Sequence, residues 1–307
     1  MIVGKKYLIQ EKIGEGCFGV VYKGKYVKRN EDVAIKMVDV RTCMTLLKHE
    51  TKILKYLQEK GCEYIPTVHW YGVDEHFAYL VMTCYDCSLL EFVNEAKRKI
   101  ETSREKGHVD IAVTLLGPIM KSCIAVLESV HSYFVIHRDI KPQNFMLKGR
   151  ELFIIDFGLA TYYMDQYGEH ISGCSHTTIV GSPKYASYFV HAGYVCSRRD
   201  DLISLGYMYI YFYCGNLIWN KQFLDQIEPH VENNVAGEQP SQQSQHLHVD
   251  EISIFHHNNQ SRKKIKSWDF LGKYCEDLSK PIWNYLNYCY SLKIDQVPKY
   301  DYLMKTI

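Results

Sequence analysis

Val135-Ile136-His137-Arg138-Asp139-Ile140-Lys141-Pro142-Gln143-Asn144 is followed, after a short β-like run, by Phe153-Ile154-Ile155-Asp156-Phe157-Gly158. Any one of these aspartates, taken alone, reads as a turn residue. Together, the two motifs supply what phosphoryl transfer asks of a protein. Asp139 is the carboxylate that accepts the hydroxyl proton and orients the nucleophile. Asn144 and Asp156 are oxygen ligands suited to Mg²⁺. Lys141, two residues beyond Asp139, is placed to offset charge on the transferred group. Both motifs are complete, in order and at the right separation, which a chance match does not reproduce.

Upstream lies Ile13-Gly14-Glu15-Gly16-Cys17-Phe18-Gly19-Val20-Val21. A lone G-x-G-x-x-G is weak, because dinucleotide-binding folds use it between a strand and a helix. Here it sits between the β-like runs Tyr7–Ile13 and Val20–Tyr26. It therefore reads either as a hairpin whose bare backbone lies over phosphates or as a plain tight hairpin. Val33-Ala34-Ile35-Lys36 follows, and then a helical segment over Cys43–Lys60. Leu46, Leu47, Ile53, Leu54 and Leu57 form its buried stripe, and Glu50 falls on that stripe. A buried carboxylate needs a partner, and Lys36 is the natural one. That pair would aim the lysine at nucleotide phosphates. Ala34 and Met82 are expected to border the adenine, with a linker at Thr83 to Tyr85.

The two halves differ in character. Residues 5–82 hold β-like runs, among them Val33–Val38, His69–Val73 and Ala78–Met82, with the one helix between them. From about residue 108 the pattern is helical, and Leu115, Leu116, Ile119, Met120, Cys123, Ile124 and Leu127 mark a core helix. Leu205 to Trp219 is apolar but short of a membrane span and reads as a buried helix. Glu228 to Ser261 is polar, amide-rich and histidine-rich, and reads as a surface insertion spanning about 222–261. Its histidines lack regular metal-ligand spacing. The N-terminus has no signal-peptide pattern.

The apolar fraction of 47% and charged fraction of 23% are ordinary for a soluble domain. A net charge of +1 gives no general attraction to nucleic acid or a membrane surface. The 11 cysteines form no disulfide framework, and Cys84 and Cys87, the one C-x-x-C, read as two buried or half-buried thiols.

Five stretches carry a resemblance to a known family. Gly181-Ser182-Pro183-Lys184-Tyr185-Ala186-Ser187 stands where most protein kinases have A-P-E, and Ser197-Arg198-Arg199-Asp200-Asp201-Leu202-Ile203-Ser204-Leu205-Gly206-Tyr207 follows it. They resemble G-T-A-R-Y-A-S and S-R-R-D-D-L-x-S-L-G-Y of the casein kinase 1 family of Ser/Thr protein kinases. The catalytic loop is similar to that family's HRDIKPDNFLM, and Tyr285–Leu292 and Pro298–Leu303 to its last helix and closing segment. The likeness covers about residues 5–305 apart from the insertion. Gln143, Cys17, Pro183 and Lys184 depart from the family pattern, and the family's long regulatory tail is missing.

The resemblance implies an α+β class and a bilobal protein kinase fold in a single domain, 5–305. A five-stranded β lobe with one helix (1–83) would precede a larger helical lobe (84–307). It implies ATP and Mg²⁺ as the small molecules used, with Lys141 favouring Ser/Thr acceptors. The expected partners are protein substrates, acidic or already phosphorylated, read by Lys184 and, in the basic run Arg262-Lys263-Lys264-Ile265-Lys266, by Lys266. The plainer reading of that run is a solvated basic patch. A monomer acting in the cytoplasm or nucleus is expected. The other class of function is a pseudokinase, a nucleotide-binding or scaffolding module, although Lys36, Glu50, Asp139, Asn144 and Asp156 are all present.

Overall fold

Alternation along 31–39 puts Val33 and Ile35 on one face of a strand and Ala34 and Lys36 on the other. A computed structural model describes residues 1–16, 19–102, 112–173, 179–220 and 259–307. They form two compact units, Met1–His170 and Ile171–Ile307, each taken here by itself.

In the first unit, β1 (Ile2–Val3), β2 (Tyr7–Gly16), β3 (Gly19–Tyr26), β4 (Glu31–Asp39), β5 (Val68–Val73) and β6 (Phe77–Thr83) make an antiparallel sheet of order β1-β2-β3-β4-β6-β5. Five of these strands match the β-like runs of the sequence. The sixth, β1, corrects the expected five-stranded lobe. It turns back through Gly4 and Lys5, both at positive φ, and pairs Ile2 with Leu8 and Val3 with Tyr7. Val3 then joins Tyr7, Val33, Ile35, Tyr79 and Val81 in a cluster against which Trp70 and Tyr26 pack. Val3→Ala removes two buried methyl groups and is expected to cost about 1–2 kcal/mol. A melting temperature equal to that of the unaltered protein would show that β1 contributes nothing to the core.

The opposite face of the sheet carries the polar work. Directly opposed residues share a face. Val21 faces Lys36 across β3 and β4, and Ala34 faces Met82 across β4 and β6. Gly19, at φ 129°, leaves no room for a side chain, since a Cβ there would lie 2.5 Å from the Met37 carbonyl oxygen. Helix α1 (Met44–Glu59) buries Leu47, Glu50, Thr51, Ile53, Leu54 and Leu57, as its periodicity requires.

Beyond the linker come β7 (Cys87–Ser88), α2 (Leu89–Thr102), a π-helical turn over Ala112–Leu116 and α3 (Gly117–Ser132), whose buried face includes Met120, Cys123, Ile124 and Leu127. The short strands β8 (Val135–Ile136), β9 (Phe145–Lys148), β10 (Glu151–Ile154) and β11 (Thr161–Tyr162) then frame two loops. One loop, 137–144, joins β8 to β9. The other starts with Asp156, just past β10. Pairing of β9 with β10 and of β8 with β11 fixes both ends of these loops.

The second unit holds α4 (Tyr188–His191), α5 (Arg198–Cys214), α6 (Trp268–Leu278), α7 (Lys280–Ser291) and α8 (Tyr300–Thr306). Helix α5 starts with a capping box, Ser197 and Asp200 each accepting from the other's end of the turn, and stops at Gly215 in the left-handed conformation. It is buried along most of its length, but it ends at Cys214, so the buried helix expected over Leu205 to Trp219 stops five residues short. Gly206 permits close contact with α7, where a Cβ would meet Leu286 at 2.3 Å. Most of the expected insertion lies outside the described residues, but its last three, 259–261, open a helical turn running to 265. Among the described residues no helix is long and apolar enough to cross a membrane. Their cysteines are free thiols, with Cys84 and Cys87 half-buried.

Candidate active site

Lys36 is the hub of the first unit's polar face. Its Nζ lies 2.8 Å from Glu50 Oε2 and 2.8 Å from Asp156 Oδ1. The sequence anticipated the first contact; the second ties β4 to the loop after β10. Burial by itself lowers a lysine pKa, but here the charges of Glu50 and Asp156 outweigh it and hold Lys36 above its ordinary value. Glu50, only 1% exposed, is pushed the other way for a carboxyl: burial raises it, and Lys36 opposes that rise.

Asp139 is gripped in the loop between β8 and β9. Lys141 Nζ sits 2.6 Å from Asp139 Oδ2, and Asn144 Nδ2 donates to the Asp139 carbonyl oxygen at 2.8 Å and to Oδ2 at 3.2 Å. His137 orders the same loop from below. Its Nε2 lies 2.9 Å from the Ile155 carbonyl, and its Nδ1 accepts from the Asp139 amide at 3.3 Å. Its ring meets Phe157 edge-on at 4.9 Å. Arg138 Nε donates to the Leu159 carbonyl at 2.6 Å. Arg138 and Asp156 both hold positive φ, at 67° each, a strain of the kind stored at functional loops. The supporting roles of His137 and Arg138 could not be read from the sequence, because their partners are backbone carbonyls.

The glycine stretch forms the β2–β3 hairpin, with Gly14 opposite Val21, Glu15 opposite Val20 and Gly16 opposite Gly19. Ile13 is exposed at its base. Cys17 and Phe18, at its tip, lie outside the described residues. Ala34 and Met82 are buried side by side on the Lys36 face.

The order of motifs and this geometry agree with a family model that matches the chain: its description is "protein kinase domain", and it covers residues 7–285. The chain belongs to the protein kinase family. The α+β kinase fold expected from the sequence is therefore the fold it has, and phosphoryl transfer from a nucleotide is the chemistry of that family. ATP and a divalent metal belong to the family's chemistry in general.

The kinase's second unit corrects one site residue. Lys266 was expected to face an anionic substrate, but it is fully buried. Its Nζ donates to the carbonyls of Pro183 at 2.9 Å, Lys184 at 3.2 Å and Ala186 at 2.6 Å, so its donors are taken up internally. Lys184 is half-buried, and its ammonium lies 4.3 Å above the Tyr211 ring, where desolvation lowers its pKa. In the basic run, Arg262 has its Nε buried without a hydrogen-bond partner. His191, beside Pro183, is pushed down to about 3, first by burial and then by Lys266, Arg262 and Lys263. The arginines of the S-R-R-D-D run are structural. Arg199 lies 3.6 Å from the Phe189 ring centroid and donates to the Leu292 carbonyl, and Arg198 donates to the Asp295 carbonyl.

Proposed function

We propose that this kinase is an active Ser/Thr protein kinase of the casein kinase 1 type, transferring the γ-phosphoryl group of ATP to acidic or already phosphorylated proteins. The observation that carries the reading is the unbroken set Glu50–Lys36–Asp156 together with Lys141–Asp139–Asn144. Degenerate kinases usually lose at least one of these groups, which weighs against a pseudokinase.

In this reading Lys36, steered by Glu50, holds the α- and β-phosphates, and the β2–β3 hairpin covers them. The acceptor oxygen attacks the γ-phosphorus, its proton passes to Asp139, and the bridging oxygen leaves with ADP. Lys141, beside Asp139, offsets charge on the group in transit. Asn144 gives its amide nitrogen to Asp139, which leaves its Oδ1 free to act as a hard oxygen ligand, and Asp156 adds carboxylate oxygen. That donor set fits Mg²⁺, which when bound would neutralise phosphate charge. The Lys141 form of the loop, which resembles that of Ser/Thr kinases, supports a hydroxyl acceptor on serine or threonine.

Acceptor choice is assigned to Lys184 and Arg262, with Lys263 nearby. The kinase as a whole is nearly neutral, so a concentrated basic site steers an anion locally. The site of action proposed is intracellular, in cytoplasm or nucleus, and the acting form a monomer. Activity is expected without activation-loop phosphorylation, since the Lys36–Glu50 pair is already closed. Thr177 and Thr178 of that loop lie outside the described residues.

One experiment tests these points. Bacterially expressed, phosphatase-treated protein is given labelled ATP, Mg²⁺ and matched peptides. The peptides carry phosphoserine, aspartate or alanine three residues before a target serine, and one carries tyrosine as target. We expect incorporation into serine peptides in the order phosphoserine, aspartate, alanine, and none into tyrosine. Lys184→Ala/Arg262→Ala should flatten that order. No incorporation into any peptide would return the pseudokinase reading, and equal rates on all three serine peptides would remove the anion site.

A further inference from the structure

A buried lysine almost always has a carboxylate partner, because an uncompensated charge in the interior is very costly. Lys266 has none among the described residues: its contacts are three backbone carbonyls and His191 Nε2, 3.1 Å away. The rings of Tyr207 and Trp219 wall it in, each centroid 5.0 Å from Nζ. Burial, and then the Arg262 charge, holds its pKa well below the usual lysine value, and its amino group spends its donors on these carbonyls.

Those carbonyls belong to Pro183, Lys184 and Ala186, within one stretch of four residues. The same stretch is tied by the amides of Tyr185 and Ala186, which both donate to the Ser182 carbonyl, and by Trp219 Nε1, which donates to the Lys184 carbonyl at 2.7 Å. Lys266 comes from about 80 residues further along the chain. A tight turn whose carbonyls are drawn inward holds the half-buried Lys184 side chain in place, its ammonium over the Tyr211 ring. Where most kinases end this segment in A-P-E, the present chain has no glutamate to anchor it.

We propose that Lys266 is the positioning residue of the acceptor-binding segment 181–187, setting its outer face by drawing its carbonyls onto one buried lysine nitrogen. This rests on the reading that the segment handles the protein substrate. The nucleotide-handling residues all belong to the other unit, so the effect falls on the acceptor and not on ATP. An apolar side chain of similar length fills the volume but leaves the Ala186 carbonyl without its donor and takes one partner from the Pro183 and Lys184 carbonyls, which keep His191 Nε2 and Trp219 Nε1. The segment then loosens.

The test compares the unaltered kinase with Lys266→Met and with Trp219→Phe, which keeps a ring and removes one donor to the Lys184 carbonyl. Peptide KM, ATP KM, kcat, melting temperature and hydrogen exchange at the Tyr185 and Ala186 amides are measured. Lys266→Met is expected to raise peptide KM about tenfold or more with ATP KM nearly unchanged. Trp219→Phe should move peptide KM the same way by less. Both amides should lose protection in step. An unchanged peptide KM in a folded Lys266→Met protein overturns the proposal, as does a parallel loss in every kinetic constant that merely tracks unfolding. Should Lys266→Met fail to fold, unchanged peptide KM and amide protection in Trp219→Phe overturn it. If the unaltered protein phosphorylates no peptide, the kinase reading fails first, and the exchange data still decide whether the strut exists.

Discussion

Asp139→Asn is expected to lower kcat by about 10²–10⁴-fold, the usual loss when a general base is removed. The substitution keeps the side chain's shape, so the loop should survive it. Lys141 Nζ and Asn144 Nδ2 both donate to Oδ2, at 2.6 and 3.2 Å. An asparagine can satisfy those donors with its carbonyl oxygen, but it has no basic site for the acceptor's proton. Nucleotide affinity should stay close to that of the unaltered protein, because Asp139 makes no contact with Lys36, Glu50 or the β2–β3 hairpin among the bonds described. Steady-state rates on a serine peptide, set beside calorimetric titration with ATP, give both numbers. Undiminished kcat would mean that another group takes the proton.

Lys36→Met is expected to disable turnover and to cost roughly 3–5 kcal/mol of stability, as breaking a buried ion pair on one side does. Glu50 and Asp156 would be left facing one another without the cation they share. The sign of the pH dependence follows. Burial already raises the Glu50 pKa above its usual 4.5, and Lys36 is the main force lowering it. Without Lys36, burial and the Asp156 charge both push it further up. A carboxyl whose folded pKa lies above its unfolded value binds more protons when folded. The variant should therefore be most stable below about pH 4.5 and lose stability as pH rises through the raised value. Urea unfolding between pH 5 and pH 8 should show that fall, steeper than in the unaltered protein. Adding Glu50→Gln should recover stability at pH 8 and leave the enzyme dead. A single variant as stable as the parent across that range would contradict the energetics assigned to the pair.

Much of this molecule is visible in the order of its residues, where the forces are short in range. Alternation marks β4 and β6 within two residues of their ends, and the leucine and isoleucine spacing of α1 puts Glu50 inside. Asp139, Lys141 and Asn144 lie within six positions, so one loop fixes their chemistry. What was hidden depends on distant partners. β1 is only two residues long and has no periodicity to detect; it exists because Val3 finds a cluster that Trp70 caps from far along the chain. Lys266 looked exposed because lysines usually are, and nothing local shows that three carbonyls 80 or more positions earlier converge on it. Arg262 was passed over for the same reason. Its significance is the lack of a partner, which only the folded chain reveals.

The residues assigned to chemistry all fall before His170, and the basic residues proposed to read an anionic acceptor all fall after it. Heritable change can therefore reach the two properties separately. If Lys184 and Arg262 read the acceptor as proposed, drift among them and their neighbours would redirect the kinase to new targets while turnover stays fixed. A lineage carrying this chain could acquire new clients by altering a few codons in its second half, without passing through an inactive ancestor.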